Sequence, residues 1–212
     1  MKFPKNYILL ILIILFTLFS CSTHSGLENE TVKKAIEMQE LIVNDPLYFK
    51  ILRELEDEGS ISWKEGSTTM ILEDLSFFNN KIEWLVSNLK YKKPYNKDSV
   101  FMKFYFNPFS STTAATVPNV HTTLLNKWNL DRDKYSILNT LMHEIIHSYG
   151  LIHPNNQYRI DNQCDAAYIA GDLAELLALH RDGLKERLEE KIKEVSICPA
   201  LIEKFNKYRF KQ

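Results

Sequence analysis

The most informative segment of the chain is His143-Glu144-Ile145-Ile146-His147-Ser148-Tyr149-Gly150-Leu151-Ile152-His153. It has the form HExxHxxGxxH, with three imidazoles and one carboxylate. Side chains at positions i and i+4 of a helix lie on the same face, so His143 and His147 can offer ring nitrogens to one metal ion. Glu144 is rotated about 100° around the helix axis, which removes it from the ligand face but lets it approach a metal-activated water. The pattern therefore predicts two ligands and a general base on one helix.

Gly150 explains how a third ligand can arrive. Glycine adopts the left-handed conformation at a helix end without steric penalty, so the chain can turn back sharply after it. Pro154 lacks an N–H and discourages further helix, and the turn brings His153 under the metal. Three neutral histidines leave one tetrahedral position open for water, which is typical of catalytic zinc. We therefore predict a Zn²⁺ ion bound by His143, His147 and His153.

The helix that carries the motif is predicted to be anchored in the core. Apolar side chains recur at helical spacing along it, and Asp131 or Asp133 can cap its start. The apolar set consists of Leu138, Leu141, Met142, Ile145, Ile146 and Tyr149.

The motif resembles that of the metzincin clan of zinc endopeptidases. The resemblance implies an α+β, zincin-like fold, with a small mixed sheet packed on the active-site helix and a mainly helical C-terminal part. It also implies zinc-dependent hydrolysis of protein or peptide substrates, with Glu144 as general base. Metzincins carry a further methionine in a turn after the third histidine, whereas the last methionine of this chain is Met142. The chain lacks that methionine turn, and a divergent bacterial metallopeptidase family fits it best.

Two alternatives stand beside this hypothesis. In the gluzincin pattern the third ligand is a glutamate on a later helix, and Glu175 lies at a suitable distance along the chain. We prefer His153, because both Gly150 and His153 match the motif. The alternative function is a non-catalytic zinc-binding surface lipoprotein that acts as a binding module.

The same resemblance assigns two further regions. Zincins often direct a hydrogen-bond donor at the oxyanion, and Tyr168 is the candidate, with core packing as its alternative. Zincins also bind extended peptides beside an edge strand that precedes the metal helix. Residues 110–123, Thr-rich and interrupted by Pro118, are the candidate for that strand, or else a connecting loop. His121 lies within them and is not expected to be a ligand.

The amino terminus predicts export. Lys2 and Lys5 precede about thirteen apolar residues, fewer than the roughly 20 that span a bilayer, so residues 1–20 are predicted to be a lipoprotein signal peptide. Leu18-Phe19-Ser20-Cys21 resembles a bacterial lipobox, which implies that Cys21 is lipidated and anchors the chain to the membrane. Residues 21–31 are the predicted tether. The expected location is the bacterial cell envelope, at the outer rather than the inner membrane. A plain cleaved signal peptide or an uncleaved anchor is the alternative.

Composition predicts one domain. The 212 residues include 26 basic and 27 acidic side chains, for a formal net charge of −1, and nothing in this balance suggests nucleic acid as a partner. Residues 32–212 show no internal repeat and are predicted to form one zincin-like metallopeptidase domain. Cys164 and Cys198 can form a disulfide in an oxidising compartment or remain two free thiols. A further alternative, Cys164 as a metal ligand or inhibitory thiol near the zinc, is less favoured because three histidines already suffice.

Hydrophobic spacing predicts the remaining elements. Residues 30–43 and 46–57 are expected to be helices, the second ended by Gly59. Residues 70–89 are expected to be an amphipathic segment packed on the sheet, and residues 100–106 a strand buried on at least one face. A long helical run is expected from residue 172 to about residue 195, with its charge-rich part, 185–194, as a solvated helix.

Overall fold

The computed structural model of the chain describes residues 29–63, 81–91, 101–116, 122–154 and 159–210. The predicted signal peptide, Cys21 and His121 lie outside these residues, as do most of the predicted tether and most of segment 70–89. Within the described residues, no helix combines the length and the apolar character that crossing a bilayer requires.

The first two helices have the predicted bounds. Helix α1 spans Glu30–Val43 and helix α2 spans Pro46–Asp57. The side chain of Asn29 accepts hydrogen bonds from two N–H groups of the first turn of α1, at 3.0 and 3.1 Å, and Asp45 accepts one from the first turn of α2, at 2.8 Å. These caps satisfy N–H groups that have no partner within a helix. Gly59 follows α2 with a φ of 67°, and the prediction that it ends the helix is confirmed.

Five further helices lie in the described residues: α3 (Lys81–Tyr91), α4 (Lys134–Ser148), α5 (Ala166–Arg181), α6 (Lys185–Ile192) and α7 (Pro199–Arg209). Gly183, with a φ of 71°, separates α5 from α6. The helical run predicted up to about residue 195 is therefore two helices with a break between them. Glycine adopts this left-handed conformation without strain, so the chain changes direction at that position.

Three strands form a mixed sheet in the order β1-β3-β2, with bounds Phe101–Tyr105 for β1, Ala114–Thr116 for β2 and Thr122–Asn126 for β3. The central strand β3 is parallel to β1 and antiparallel to β2. The segment 110–123, predicted to be an edge strand or a loop, contains parts of two strands: the edge strand β2 and the first residues of the central strand β3. The described chain has seven helices and one small mixed sheet, which confirms the predicted α+β class with a mainly helical C-terminal part.

The core lies where α4 packs against α5 and α1. The apolar set predicted to anchor α4 is buried throughout, and each such side chain contributes about 1.5–3 kcal/mol relative to an exposed one. It consists of Leu138, Leu141, Met142, Ile145 and Ile146, all 0% exposed, and Tyr149, 5% exposed.

Gly171 is the point of close approach between α4 and α5. A Cβ atom at this position would lie 2.7 Å from both the carbonyl oxygen and the side-chain oxygen of Asn139 on α4. The carbonyl oxygen belongs to a helix backbone and cannot move aside without shifting α4. A residue with no side chain is therefore required for the observed distance between the two helices.

We expect Gly171→Ala to destabilise the protein. Overpacking of this kind costs about 1–3 kcal/mol, and the better helix propensity of alanine returns only about 0.5–1 kcal/mol. Each kcal/mol lost lowers the Tm by roughly 2–4 °C in a domain of this size. Thermal unfolding of the two proteins measures the difference, and a Tm equal to or above that of the wild type would contradict the close contact.

Cys164 and Cys198 are joined in a disulfide, with a Cα–Cα distance of 4.8 Å. Of the alternatives left open by the sequence, the structure has the bonded pair. The bond ties the segment before α5 to the start of α7, and closing a loop of this length stabilises the fold by about 3–4 kcal/mol in the chain-entropy model.

Candidate metal centre

Helix α4, which carries two of the predicted ligands, begins at a capped end. Of the two predicted caps, Asp133 has this role, because its Oδ1 accepts hydrogen bonds from the N–H groups of Tyr135 and Ser136 at 2.8 and 3.2 Å. A carboxylate at this end also interacts favourably with the helix dipole.

His143 and His147 direct one nitrogen each toward the same point. Their Nε2 atoms are 3.1 Å apart. Two nitrogens that bind one ion at about 2.0–2.1 Å, at a tetrahedral angle, are separated by about 3.3–3.4 Å. The i, i+4 spacing on α4 therefore produces nearly the separation that two ligands of a single ion need.

A turn at Gly150 brings the third histidine to this pair. Gly150 has a φ of 93°, and its N–H donates to the carbonyl oxygen of His147 at 2.8 Å, so the predicted left-handed helix end is confirmed. The ring centroid of His153 lies 5.1 Å from that of His143 and 4.7 Å from that of His147. One ring nitrogen of each histidine lies within 4.8 Å of the others. The three side chains are therefore close enough to hold a metal ion.

Hydrogen bonds to the outer nitrogens orient two of the three rings. Nδ1 of His147 donates to the carbonyl oxygen of Leu151 at 2.7 Å, and Nδ1 of His153 lies 2.5 Å from Oδ2 of Asp165. Because a carbonyl only accepts, Nδ1 of His147 carries the hydrogen, and Nε2 of the neutral ring keeps its lone pair. Partners of this kind fix the tautomer and direction of metal-binding histidines.

The environment keeps the rings on α4 neutral. Burial lowers the pKa of His143 well below its usual value, and the neighbouring His147 and His153 lower it further, against a hydrogen bond with the backbone of Ala167 that raises it. Burial also lowers the pKa of His147. Since a protonated imidazole cannot bind a metal ion, these shifts favour ligation at neutral pH.

Glu144 is buried beside the rings, with 6% of its surface exposed. Burial raises the pKa of Glu144 to about 7, although hydrogen bonds from the side chain and backbone of Thr116 lower it. Its Oε2 is buried and has no hydrogen-bond partner among the described residues. A buried oxygen without a partner is costly, and a cation or a polarised water at the histidines would relieve that cost. The donor set and this oxygen together fit a metal site.

The histidines and Glu144 line a cleft of about 650 Å³, which is within the range of small-molecule and peptide sites. Residues 111–116, including the edge strand β2, form one wall, and residues of α4 between Asn139 and His147 form part of another. Thr116 on β2 is hydrogen-bonded to Glu144, so the edge strand runs directly beside the predicted base.

Tyr168 lies against two of the histidines. Its ring is stacked on that of His153, with centroids 5.0 Å apart and planes inclined by 19°, and its centroid is 4.5 Å from that of His143. The guanidinium of Arg159 sits 5.0 Å from the centre of the tyrosine ring. The structure thus brings Tyr168 to the cleft, while its role as a donor to the oxyanion stays a prediction.

Glu175, the alternative third ligand, is held elsewhere in the cleft. Its Oε2 accepts a hydrogen bond from Nδ2 of Asn139 at 2.8 Å and lies 3.0 Å from Nζ of Lys191. It is not part of the metal-competent group found among the described residues, which consists of the three histidines. The structure therefore brings His153, and not Glu175, to the pair on α4.

Comparison of the chain with protein-family models, curated proteins and solved structures gives no match in any of the three. An inference about its function therefore depends on the geometry of these residues.

Two residues of the site, Asp165 and Lys191, were not predicted from the sequence. Asp165 binds His153 with Oδ2 and caps α5 with Oδ1, which accepts from the N–H of Tyr168 at 2.8 Å. An Asp before an Ala-Ala helix start indicates a cap, but the contact with a histidine 12 residues earlier is tertiary. Lys191, assigned by its charged surroundings to a solvated helix, has a side chain only 11% exposed that lines the cleft. That prediction is wrong for Lys191, because Glu175 and Asp172 attract its ammonium inward.

We expect Asp165→Asn to weaken Zn²⁺ binding by about 10–100-fold. Asparagine caps a helix as well as aspartate does, so α5 keeps its start, whereas His153 loses the carboxylate that orients its ring. The measurement is competition for Zn²⁺ against a chromogenic chelator. Asp45→Asn, at the cap of α2, is the matched control and should leave the affinity unchanged. Equal affinities in all three proteins would contradict the orienting role.

Proposed function

We propose that this chain is a zinc-dependent peptidase that hydrolyses peptide bonds in protein or peptide substrates. The observation that carries the proposal is that three imidazoles and one buried carboxylate converge in a single cleft, beside the edge strand of a sheet. Three histidine ligands leave a coordination position for water or substrate, as catalytic zinc sites do and closed structural sites do not.

Each residue of the site has a defined part in this proposal. His143, His147 and His153 would hold the ion. When bound, zinc supplies a Lewis acid that polarises the scissile carbonyl and lowers the pKa of water. Oε2 of Glu144 accepts the proton of the attacking water and then returns it to the nitrogen of the leaving amine. The hydroxyl of Tyr168 donates a hydrogen bond to the oxyanion.

The position of the edge strand β2 is an argument for a peptide as the substrate. A strand at the edge of a sheet has backbone groups that can pair with an extended chain, and β2 forms a wall of the cleft that holds Glu144. This arrangement, with the HExxH helix and the turn at Gly150, supports a zincin-like type related to the metzincins. The lack of any methionine after Met142 argues for a divergent family.

The proposed location is the bacterial cell envelope. The basic and apolar leader and the lipobox-like residues ending at Cys21 support a lipid-anchored, exported protein. The disulfide between Cys164 and Cys198 agrees with an oxidising compartment outside the cytoplasm.

Metal analysis and peptide cleavage test the proposed function. The full-length protein, purified in detergent, should contain one zinc ion per chain and cleave a proteome-derived peptide library. A chelator should abolish the cleavage and added Zn²⁺ should restore it. Stoichiometric zinc without any cleavage would refute the peptidase and favour a zinc-binding surface lipoprotein. The absence of metal binding would refute both.

A further inference from the structure

One part of the cleft, on the side of His143 toward the start of α4, is lined by three cationic side chains: Arg132, Arg159 and Lys191. Two of the three are neutralised. Arg159 pairs with the fully buried Asp172, with an N–O distance of 2.6 Å. The ammonium of Lys191 lies 3.0 Å from a carboxylate oxygen of Glu175 and 2.9 Å from one of Glu194.

Among the described residues, the guanidinium of Arg132 is hydrogen-bonded only to hydroxyl groups. It donates to Oγ1 of Thr113 at 3.3 Å, to Oγ1 of Thr140 at 3.2 Å, and to Oγ of Ser136. No carboxylate oxygen of the described residues lies within 4.0 Å of it. Neutral acceptors form no ion pair with it, so the guanidinium remains available to pair with a carboxylate and stays protonated at any ordinary pH.

The carboxylates nearest to Arg132 already hold other cations. Burial lowers the pKa of Arg132, while Glu175 and Asp133 act to raise it and the neighbouring Arg159 acts to lower it. Asp133 is paired with Arg187 at 2.7 Å, and Glu175 is paired with Lys191 at 3.0 Å. Neither carboxylate forms an ion pair with Arg132, so its guanidinium can still pair directly with an anion that enters the cleft.

Arg132 bridges the two walls of the cleft close to the histidines. Thr140 is one turn before His143 on α4, a rise of about 4.5 Å. Thr113 comes three residues before Thr116, the residue hydrogen-bonded to Glu144, a span of about 10 Å along a strand. An extended peptide advances about 3.3 Å per residue. The guanidinium thus lies within one to three substrate residues of the reacting centre.

A peptide that pairs with β2 in the same way as β3 does has a defined direction. Its pairing with β3 is antiparallel, and a peptide that adds to its other edge in the same manner runs opposite to β2. The amino-terminal part of such a peptide lies near Thr116 and its carboxyl-terminal part near Thr113. Residues that follow the scissile bond therefore approach Arg132.

We propose that Arg132 binds a substrate carboxylate located one to three residues after the scissile bond. This inference rests on the proposed peptidase function and adds a substrate class to it. The carboxylate belongs either to an Asp or Glu side chain, which makes the protein an endopeptidase with acidic preference, or to the carboxyl terminus of the substrate, which limits it to cuts near that end. Arginine is suited to both, because its planar fork pairs with two carboxylate oxygens at once.

Matched peptide libraries test the inference. Two libraries of ten-residue peptides, one with free and one with amidated carboxyl termini, are digested with the full-length zinc-loaded protein, and the cut positions are determined by mass spectrometry. From the preferred sequence, a peptide with Glu at the recognised position is compared with its Gln counterpart. We expect kcat/KM to be about 10–100-fold higher for the carboxylate-bearing peptide. If the amidated library is cut as well as the free one, the side-chain source is correct; if only the free library is cut, the terminal source is correct.

The variant Arg132→Gln separates substrate recognition from a structural role. It should lower kcat/KM for the carboxylate-bearing peptide and leave that for its amide counterpart unchanged, whereas a structural role would lower both equally. Arg132→Lys should restore part of the preference, and Arg53→Gln, which removes an arginine of α2 outside the cleft, should change nothing. If Arg132→Gln does not fold, the inference is tested with the wild type alone, by its ratio of kcat/KM between the carboxylate-bearing peptide and the amide counterpart. Cleavage without carboxylate preference overturns this inference and leaves the peptidase standing, and the absence of cleavage overturns both.

Discussion

Replacement of Glu144 by glutamine is expected to lower kcat/KM for peptide hydrolysis by about 10²–10⁴-fold, the range that a positioned general base supplies. Glutamine has the same shape, and its carbonyl oxygen can still accept the hydrogen bonds that Thr116 makes to Glu144. It cannot accept a proton. Because the group that can hold a metal ion consists of the three histidines and does not include Glu144, the variant should keep its zinc.

The measurement pairs peptide cleavage with elemental analysis of the same sample. Glu186→Gln, the same exchange on the exposed surface of α6, is the control and should match the wild type in both. Wild-type activity of Glu144→Gln would exclude it as the base. Joint loss of zinc and activity would instead assign Glu144 to the maintenance of the site.

Those parts of the structure that depend on neighbouring residues could be predicted from the sequence. The bounds of α1 and α2 follow from caps and a proline within the same turn, and the turn at Gly150 follows from the conformation that only glycine adopts freely. The pairing of His143 with His147 follows from helical geometry. Each of these features is determined over a few residues, so the pattern of side chains is sufficient.

Other features required the fold. Asp165 meets His153 only because the turn at Gly150 and the start of α5 bring the two side chains together. Arg132 shares the cleft with Thr113, 19 residues away, through the placement of β2 beside α4. Periodicity cannot report which distant side chains meet, and it assigned Lys191 to solvent because charges on a helix usually face water. The break at Gly183 did have a local signal, since an isolated glycine weakens a helix at that position.

Loss of the third ligand is the second large effect that we expect. His153→Ala should lower the affinity for Zn²⁺ by more than the roughly 10–100-fold that an outer partner such as Asp165 controls, because a metal–nitrogen bond itself is removed. Glu175→Gln should leave the zinc content unchanged, since Glu175 is engaged with Asn139 and Lys191. Elemental analysis after dialysis against a weak chelator measures both variants together. Stoichiometric zinc in His153→Ala and its loss in Glu175→Gln would assign the third ligand to Glu175. The expected result would show that the bend at Gly150 delivers the ligand that completes the site, so that the metal joins the end of α4 to the segment leading into α5.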